Sequence, residues 1–267
     1  MKGMKWFLGG VIGLAMLFMG AGQASAIVVN QWGYVATLAF VTAGPDAPTF
    51  TAGGGAQTVN PALIQWGDAK NPANQSRLAI PSSPVGGVIV TGGPAQPGPF
   101  VRHDNNPITF SFALLNSMSM ITTLTLDPLV PDLGGPFFAG ALQFDVNFKE
   151  TINAGPCAPG TGVPPCPDIF GVKAPTSFPF SANFIFAGET YKVTISAVGL
   201  GPLPSPAACA AVGLVFPCIG FITQENQQNF LNPTFSIALV PEPSTLLLLG
   251  AGLVGLGLVL RRRKLHA

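Results

Sequence analysis

Few side chains in this chain could perform chemistry, and two acids are the first candidates. Glu150 and Glu225 could form the pair of carboxyl groups that glycoside hydrolases use as acid and base. They could equally anchor loops by accepting hydrogen bonds, and this structural role is the one we expect. A hydrolytic triad around His103 is not indicated, since no G-x-S-x-G motif supplies an exposed serine. The sequence therefore predicts a protein that is not an enzyme.

His103 belongs to a short polar segment that ends at Pro107. Asp104 and Asn105 precede this proline, a pattern typical of a turn that leads into a strand and in which Asx side chains bond the nearby backbone. Calcium-binding loops are rich in Asp and Asn, but the alternating D-x-D-x-D spacing of such loops is missing here. We therefore predict neither a metal site nor a cofactor, and calcium binding by these Asp and Asn residues is the alternative that the sequence leaves open.

The four cysteines form two pairs of equal spacing, because eight residues separate Cys157 from Cys166 and Cys209 from Cys218. In an oxidising compartment an even number of cysteines indicates disulfides, and four cysteines allow three pairings. We favour the two local pairings, because Pro- and Gly-rich segments close short loops at a small entropic cost. A zinc site would need four convergent thiolates, and neither interval resembles a C-x-x-C motif.

The elements that must position these groups are β-strands. Alternation of apolar and polar residues, interrupted by Gly, Pro and Asn, predicts an all-β protein, an antiparallel and jelly-roll-like β-sandwich with long Gly/Pro-rich loops. Residues 45–106 are predicted as long loops between a few strands, and Gly53-Gly54-Gly55 is not a phosphate loop because no Lys-Ser or Lys-Thr follows. The segments predicted as strands are Val85–Val90, Ile108–Leu115, Met120–Leu126, Ala141–Phe148, Tyr191–Val198 and Thr234–Val240.

Charge is segregated along the 267 residues, whose net charge is +1. Between residues 27 and 240, six basic residues stand against ten acidic ones, which gives this body a net charge of −4. Such a surface has no basic patch for phosphate groups, so nucleic acid is excluded as a partner. The length of the body is sufficient for one sizeable core.

The N-terminus has the three parts of a secretory signal peptide over residues 1–26. Lys2 and Lys5 supply the positive charge, and an apolar run follows them. Ala24-Ser25-Ala26 is then a cleavage site of small residues, so signal peptidase would leave Ile27 as the first residue. An uncleaved N-terminal anchor is the alternative.

The C-terminus, residues 241–267, also has three parts in a fixed order. Pro241-Glu242-Pro243 is followed by an apolar stretch that contains Leu246–Leu260, and Arg261-Arg262-Arg263-Lys264 comes last. The stretch predicts a short transmembrane helix whose flanking arginines reach the membrane surface. Because basic residues remain on the cytoplasmic side, the body would lie outside the inner membrane. The two prolines would hold Glu242 in an extended backbone that a protease can reach.

These parts, placed behind a signal peptide, resemble the PEP-CTERM sorting signal of Gram-negative bacteria. In that family an exosortase, a membrane-embedded cysteine transpeptidase, cuts near the Pro-Glu-Pro. The resemblance implies a transient membrane anchor, removal of the helix, and release or attachment of the body at the cell surface. It also implies an association with exopolysaccharide, whose production the family usually accompanies. An ordinary single-span anchor is the alternative.

A second resemblance lies within the body. His103 and Asn105 match the signature of the THxN family of PEP-CTERM proteins, although Arg102 replaces the threonine. Further segments that resemble this family are Phe148–Thr151 with Asn153, Cys157–Phe170 and Cys218–Glu225. The family has no established activity, so this resemblance implies a class of protein without adding chemistry.

Together these observations predict an exported, non-catalytic cell-surface or matrix protein with a signal peptide (1–26), a β-sandwich body (27–240) and a sorting signal (241–267). Its expected partners are signal peptidase, an exosortase, the inner membrane and exopolysaccharide. The alternative is a secreted carbohydrate-active enzyme on a jelly-roll scaffold. A cleft holding Glu150 or Glu225 beside His103 would favour that enzyme, and scattered acids in a filled sandwich would favour a structural protein.

Overall fold

Two antiparallel β-sheets, arranged as a sandwich, form the body of the chain. The computed structural model describes residues 27–151, 153, 155–174, 176–241 and 250–253. The all-β, antiparallel sandwich that the alternating pattern predicts is confirmed. The predicted signal peptide, Glu242, Pro243 and the basic cluster Arg261–Lys264 lie outside the described residues.

Among the residues that the structure describes, each sheet has eight strands, and every pair of strands is antiparallel. The order across the first sheet is β14 (Gly201–Pro202), β15 (Ile219–Thr223), β11 (Asp168–Ala174), β10 (Phe137–Lys149), β9 (Leu115–Val130), β1 (Gln31–Phe40) and β6 (Val85–Val90), with β2 (Thr49–Phe50) paired to β9. The order across the second sheet is β12 (Phe180–Phe186), β13 (Glu189–Val198), β16 (Gln227–Leu239), β8 (Val101–Asn105), β5 (Gln75–Ala79), β4 (Leu63–Gly67) and β3 (Thr58–Asn60), with β7 (Gln96–Pro97) paired to β16. A 3-10 helix (Pro72–Asn74) and helix α1 (Pro206–Ala211) lie between strands.

Strand β1 shows how the sequence directs side chains into the core. Successive side chains of a strand point to opposite faces of the sheet, so every second residue can be buried. Trp32, Tyr34 and Ala36 are buried in one apolar cluster of the core. Leu38 and Phe40, further along the same face, are buried in a second cluster. One strand therefore joins the two main parts of the core.

Edge-to-face aromatic packing holds the first of these clusters together. The Trp32 ring lies 5.1 Å from the Tyr191 ring and 5.4 Å from the Phe186 ring, at steep angles. Such pairs contribute about 0.5–1.5 kcal/mol each beyond their buried area. The Tyr191 hydroxyl accepts a hydrogen bond from the Val29 backbone N–H at 2.8 Å. This contact attaches the start of the body to the second sheet.

Five of the six predicted strands are present. Val85–Val90 is β6, and the other four confirmed segments coincide with parts of the longer strands β9, β10, β13 and β16, except that Val240 lies one residue beyond the end of β16. Residues 45–106 contain seven strands, β2 to β8, and are therefore more regular than the predicted long loops. Apart from β6, which the sequence predicts, these strands are two to five residues long, and no run of alternating residues in the sequence distinguishes them.

The prediction of a strand at Ile108–Leu115 is wrong, because β9 begins only at the last of these residues. The segment forms a turn in which the Phe112 N–H donates to the Thr109 carbonyl at 3.0 Å. It then contacts a second loop, where the Ala113 N–H donates to the Gly54 carbonyl at 2.9 Å. Glycine is needed for this approach, since a Cβ on Gly53 would lie 2.4 Å from the Phe112 carbonyl carbon.

Both disulfides have the local pairing that the sequence favours. Cys157 is bonded to Cys166 and Cys209 to Cys218, with Cα atoms 5.2 Å and 5.9 Å apart. Each bridge closes a loop directly before a strand, the first before β11 and the second before β15. Ile169, near the start of β11, is completely buried. The bridges therefore fix the points at which these two strands enter the core.

We predict that replacing Cys209 and Cys218 together with Ala lowers the free energy of unfolding by about 2–3 kcal/mol, because the short loop is then open in the unfolded chain. Urea unfolding of the purified protein measures this change. The Cys157→Ala/Cys166→Ala variant serves as the matched comparison and should lose a similar amount. If the urea unfolding midpoint of the Cys209→Ala/Cys218→Ala variant equalled that of the wild type, the second bridge would not stabilise the fold.

Candidate functional site

Three phenylalanines on neighbouring strands form a row on the inner face of the first sheet. Phe148 pairs with Phe170 across β10 and β11, and Phe170 pairs with Phe221 across β11 and β15. The ring centroids of these pairs are 4.6 Å and 4.3 Å apart. Residues two positions further along each strand share the same face. The next row on this face consists of Glu150, Asp168 and Thr223.

Glu150, Asp168 and Glu225 bring three carboxyl groups together beside this row, and we call them the acidic cluster. Glu225 lies in the turn between β15 and β16, two residues beyond Thr223. One oxygen of each acid lies within 4.8 Å of an oxygen of both others. The three residues are only 2%, 0% and 5% exposed. Desolvation and like-charge repulsion both oppose ionisation in such an arrangement.

The second sheet supplies the other wall of the site. The Asn105 side-chain amide donates to the Thr223 carbonyl at 3.2 Å, and a ring nitrogen of His103, Nδ1, lies 3.0 Å from the Thr223 hydroxyl. From β4, the Trp66 indole N–H donates to Glu150 Oε2 at 3.4 Å. Strand β8 and strand β4 of the second sheet therefore contact β15 and the end of β10 in the first.

Many buried polar atoms around the acidic cluster have no hydrogen-bond partner among the described residues. They include Glu150 Oε1, Asp168 Oδ2 and both carboxyl oxygens of Glu225. The Asn105 side-chain oxygen is also buried and without a partner. Leaving a buried polar atom unsatisfied costs about 1–3 kcal/mol. The site therefore contains more acceptors than the protein itself satisfies.

The turn that carries Glu225 has a defined shape. The Gln224 N–H donates to the Asn229 side-chain oxygen, and the Asn229 amide donates back to the Gln224 carbonyl, both at 3.0 Å. Asn226 has a positive φ of 58°, a conformation that asparagine adopts more readily than most residues. These contacts close the turn and direct Glu225 inwards.

Burial is the main electrostatic influence on all three acids. It raises the pKa of Glu150 well above its ordinary value, and the charges of Asp168 and Glu225 raise this pKa further. Burial and then the Glu225 charge raise the pKa of Asp168, against hydrogen bonds from Thr151 and Asn105 that lower it. Burial raises the pKa of Glu225 to about 7. No positive side chain of the described residues pairs with these acids, so the cluster retains protons at neutral pH.

His103 is neutral in this environment. Its ring is stacked on Trp66 with centroids 5.8 Å apart and lies edge-on to Phe148 and Phe170. Burial lowers the pKa of His103 to about 3, so the ring carries no charge at physiological pH. A histidine that is enclosed by aromatic rings and neutral acts as a packed polar residue of the core.

The structure brings together four residues that the sequence singled out separately: His103, Asn105, Glu150 and Glu225. The prediction that His103 and Asn105 lie in a turn before a strand is wrong. Both residues belong to strand β8, and the irregular segment follows that strand. Three residues of the site were not identified as such from the sequence: Trp66, Asp168 and Thr223. The signal that could have found Asp168 is its position directly after a cysteine loop and before two apolar residues.

The acids match neither of the two arrangements that were expected to separate an enzyme from a structural protein. They are not scattered, because Glu150 and Glu225 converge with Asp168 near His103. They also do not face an open cleft, because their side chains are almost completely buried. In this conformation the acids are therefore not accessible to a substrate.

A polar pocket of about 340 Å³ opens on the other side of β8. Asp104 lies between His103 and Asn105, so its side chain points away from the acidic cluster. Arg77 and Arg102 both form ion pairs with Asp104. The remaining lining is made mostly of amide side chains, from Gln65, Gln75, Asn106, Asn226, Gln227 and Gln228.

The fold and these sites define a disulfide-containing β-sandwich with a cluster of buried acids. A comparison with known protein families matches residues 239–264 to the PEP-CTERM protein-sorting motif. A comparison with curated proteins gives no match. The chain therefore carries a PEP-CTERM sorting signal, which marks it as an exported protein sorted by an exosortase. The narrower resemblance to the THxN family stays a prediction.

The matched residues begin at the end of β16, where the chain leaves the sandwich. Among the residues that the structure describes, no helix is long and apolar enough to cross a membrane. Most of the predicted transmembrane segment Leu246–Leu260 lies outside those residues.

We predict that, in EDTA and therefore without divalent cations, the acidic cluster makes the free energy of unfolding fall as pH rises. The pKa of Glu225 is about 7 in the folded protein against 4.5 in the unfolded chain, so the folded state holds more protons between these values. Its stabilising contribution is complete below about pH 4.5 and is lost as pH rises through 7. His103 acts in the opposite direction, because its contribution is lost as pH falls from about 6.5 towards 3.

Comparison with Glu225→Gln isolates the contribution of Glu225. Between pH 5 and pH 8 the wild type should lose roughly 2 kcal/mol more stability than this variant, measured by urea unfolding. Glu189→Gln, which alters a half-buried acid in the β12–β13 hairpin, should keep the wild-type pH dependence. Equal pH slopes for the wild type and Glu225→Gln would contradict the prediction.

Proposed function

We propose that this protein is a non-catalytic component of the cell surface or extracellular matrix that associates with exopolysaccharide. The observation that carries the proposal is the PEP-CTERM motif at residues 239–264, because this signal directs exported proteins to an exosortase. The association with exopolysaccharide rests on the resemblance to that family. The two disulfides agree with a location outside the cytoplasm, where thiols are oxidised.

The absence of catalysis is proposed from the accessibility of the acids. A glycosidase needs two carboxyl groups that contact the substrate from opposite sides of the scissile bond. Glu150 and Glu225 are buried in the core, and the His103 ring is neutral and surrounded by aromatic side chains. These groups suit a structural role better than proton transfer to a sugar.

The proposed mature protein extends from Ile27 to a C-terminus near Pro241–Pro243. Ile27 and Pro241 are both exposed. The last backbone contact before the motif is the Val240 N–H, which donates to the Thr190 carbonyl at 2.8 Å. Cleavage beyond this point would leave every strand of the sandwich intact, so removal of the tail would not require the body to refold.

We predict that replacing Pro241, Glu242 and Pro243 together with Ala blocks removal of the tail, because the extended segment that the exosortase cuts is lost. Intact mass and immunoblots of membrane and surface fractions measure the outcome in an exosortase-bearing host. The variant should accumulate in the membrane with its tail, while the wild type should begin at Ile27 and lack Leu246–Leu260.

Pro45→Ala, which alters an exposed proline in a loop of the body, is the matched control and should be processed normally. A mature wild-type protein that retained Leu246–Leu260 would favour an ordinary membrane anchor over a sorting signal.

The polar pocket beside β8 is the proposed contact for exopolysaccharide. Its amide side chains provide both hydrogen-bond donors and acceptors, which sugar hydroxyl groups can pair with. Gln228 is exposed at the pocket, and the Gln65 amide donates to the Gln75 side-chain oxygen at 2.7 Å. This hydrogen bond holds two of the amides in place before a ligand arrives.

We predict that the Gln75→Ala/Gln228→Ala variant binds the exopolysaccharide of the producing cells roughly tenfold more weakly or worse, because two sugar contacts are removed. Cosedimentation with the purified polysaccharide measures binding. Gln57→Ala, an exposed amide in another loop, should bind like the wild type. Unchanged binding by the double variant would contradict the proposal that exopolysaccharide binds in this pocket. Release of reducing sugars from the polysaccharide would favour the carbohydrate-active enzyme.

A further inference from the structure

The acidic cluster lacks a positive partner among the described residues. Both ion pairs in the described part of the chain are made by Arg77 and Arg102, and both go to Asp104 on the other side of β8. Within the cluster, Glu150 receives one hydrogen bond from Trp66, and Asp168 receives hydrogen bonds from the Thr151 N–H at 2.8 Å and from the Asn105 side chain. Neutral donors of this kind offset only part of the desolvation of three carboxylates.

The spacing of the three acids suits one bound cation. Their nearest oxygens all lie within 4.8 Å of one another. Calcium binds oxygen at about 2.3–2.6 Å, so two ligand oxygens on the same ion lie at most roughly 5 Å apart. A single calcium ion between the three acids can therefore contact all of them with little movement of the strands.

The oxygens of the acids provide an independent indication of a ligand. Glu150 Oε1, Asp168 Oδ2 and both carboxyl oxygens of Glu225 are buried and have no hydrogen-bond partner among the described residues. Asn105, which is 1% exposed, donates its side-chain amide to the Thr223 carbonyl and to Asp168, so it supports the cluster from β8. Each acid therefore presents at least one buried oxygen to a cation.

The types of ligand atom select the metal. Carboxylate and amide oxygens favour hard cations, whereas zinc and copper sites use imidazole or thiolate groups. Magnesium demands near-ideal octahedral geometry at shorter distances, while calcium tolerates irregular sets of six to eight oxygens. Three carboxyl groups from separate segments form an irregular set, and water can complete it. Calcium is therefore the better match.

We propose that Glu150, Asp168 and Glu225 bind one calcium ion that connects the end of β10 and the start of β11 to the β15–β16 turn. The ligands come from three separate segments of the chain, which explains why no D-x-D-x-D spacing is present. The ion would enter through the β15–β16 turn, where Gln224 and Asn226 on either side of Glu225 are exposed.

The first test titrates calcium into the purified full chain after removal of metals with EDTA. Wild-type protein should bind about one equivalent by calorimetry and melt at a higher temperature in millimolar CaCl₂, with a smaller effect of MgCl₂. Glu225→Gln and Asp168→Asn should bind roughly tenfold more weakly or worse. Glu189→Gln, outside the cluster, should bind like the wild type.

A second measurement does not depend on the stability of these variants. The Trp66 indole contacts Glu150, so a terbium ion in the site should show emission sensitised by this tryptophan, and calcium should displace it. Trp66→Phe should lose most of the emission yet still bind calcium, whereas Trp32→Phe, in the other aromatic cluster, should keep it. Absence of calcium binding at millimolar concentration, with no terbium emission from folded wild type, would overturn the proposal and show that the acids share protons instead.

Discussion

The three carboxyl groups of the acidic cluster impose the strongest constraint on this fold. Moving an ionised carboxylate out of water costs several kcal/mol, and each added negative charge raises the cost for the others. Three apolar side chains would fill the same space without that cost. The surroundings do not neutralise the acids, because His103 is uncharged and the described ion pairs lie on the other side of β8. The acids can therefore be tolerated only as protonated groups or around a cation.

The same cluster is where the two sheets are joined. The chain passes from β15 in the first sheet to β16 in the second through the turn that carries Glu225. In the second sheet β16 pairs with β8, so Asn105 lies opposite Gln227 at the start of β16. Thr223, the last residue of β15, contacts both His103 and Asn105. Loss of order at this crossing would separate β8 from the first sheet, so the polar contacts there influence the whole sandwich.

Much of the fold could be predicted from the sequence because alternation is visible within one strand. Ala141–Phe148 and Tyr191–Val198 are predicted in this way and lie in β10 and β13. The acidic cluster depends instead on register between strands: Glu150 faces Asp168 because Lys149 pairs with Ile169 one step earlier. No pattern within either strand reveals that register. The error at Ile108–Leu115 has a similar origin, since the segment is folded by contact with a distant glycine-rich loop.

Export gives a physical reason for combining disulfides with a cluster of buried acids. Both bridges lie at loops that lead directly into β11 and β15, the strands that carry Asp168 and Thr223. The Thr151 hydroxyl donates to the Cys166 carbonyl at 2.5 Å, and its N–H donates to Asp168, so the first bridge and the cluster share one loop. Disulfides form in an oxidising compartment, and calcium sites of extracellular modules fill at about 10⁻⁴–10⁻³ M. A body with both would therefore reach its full stability only after it has crossed the inner membrane, and the chain would remain easier to unfold while it is still being exported.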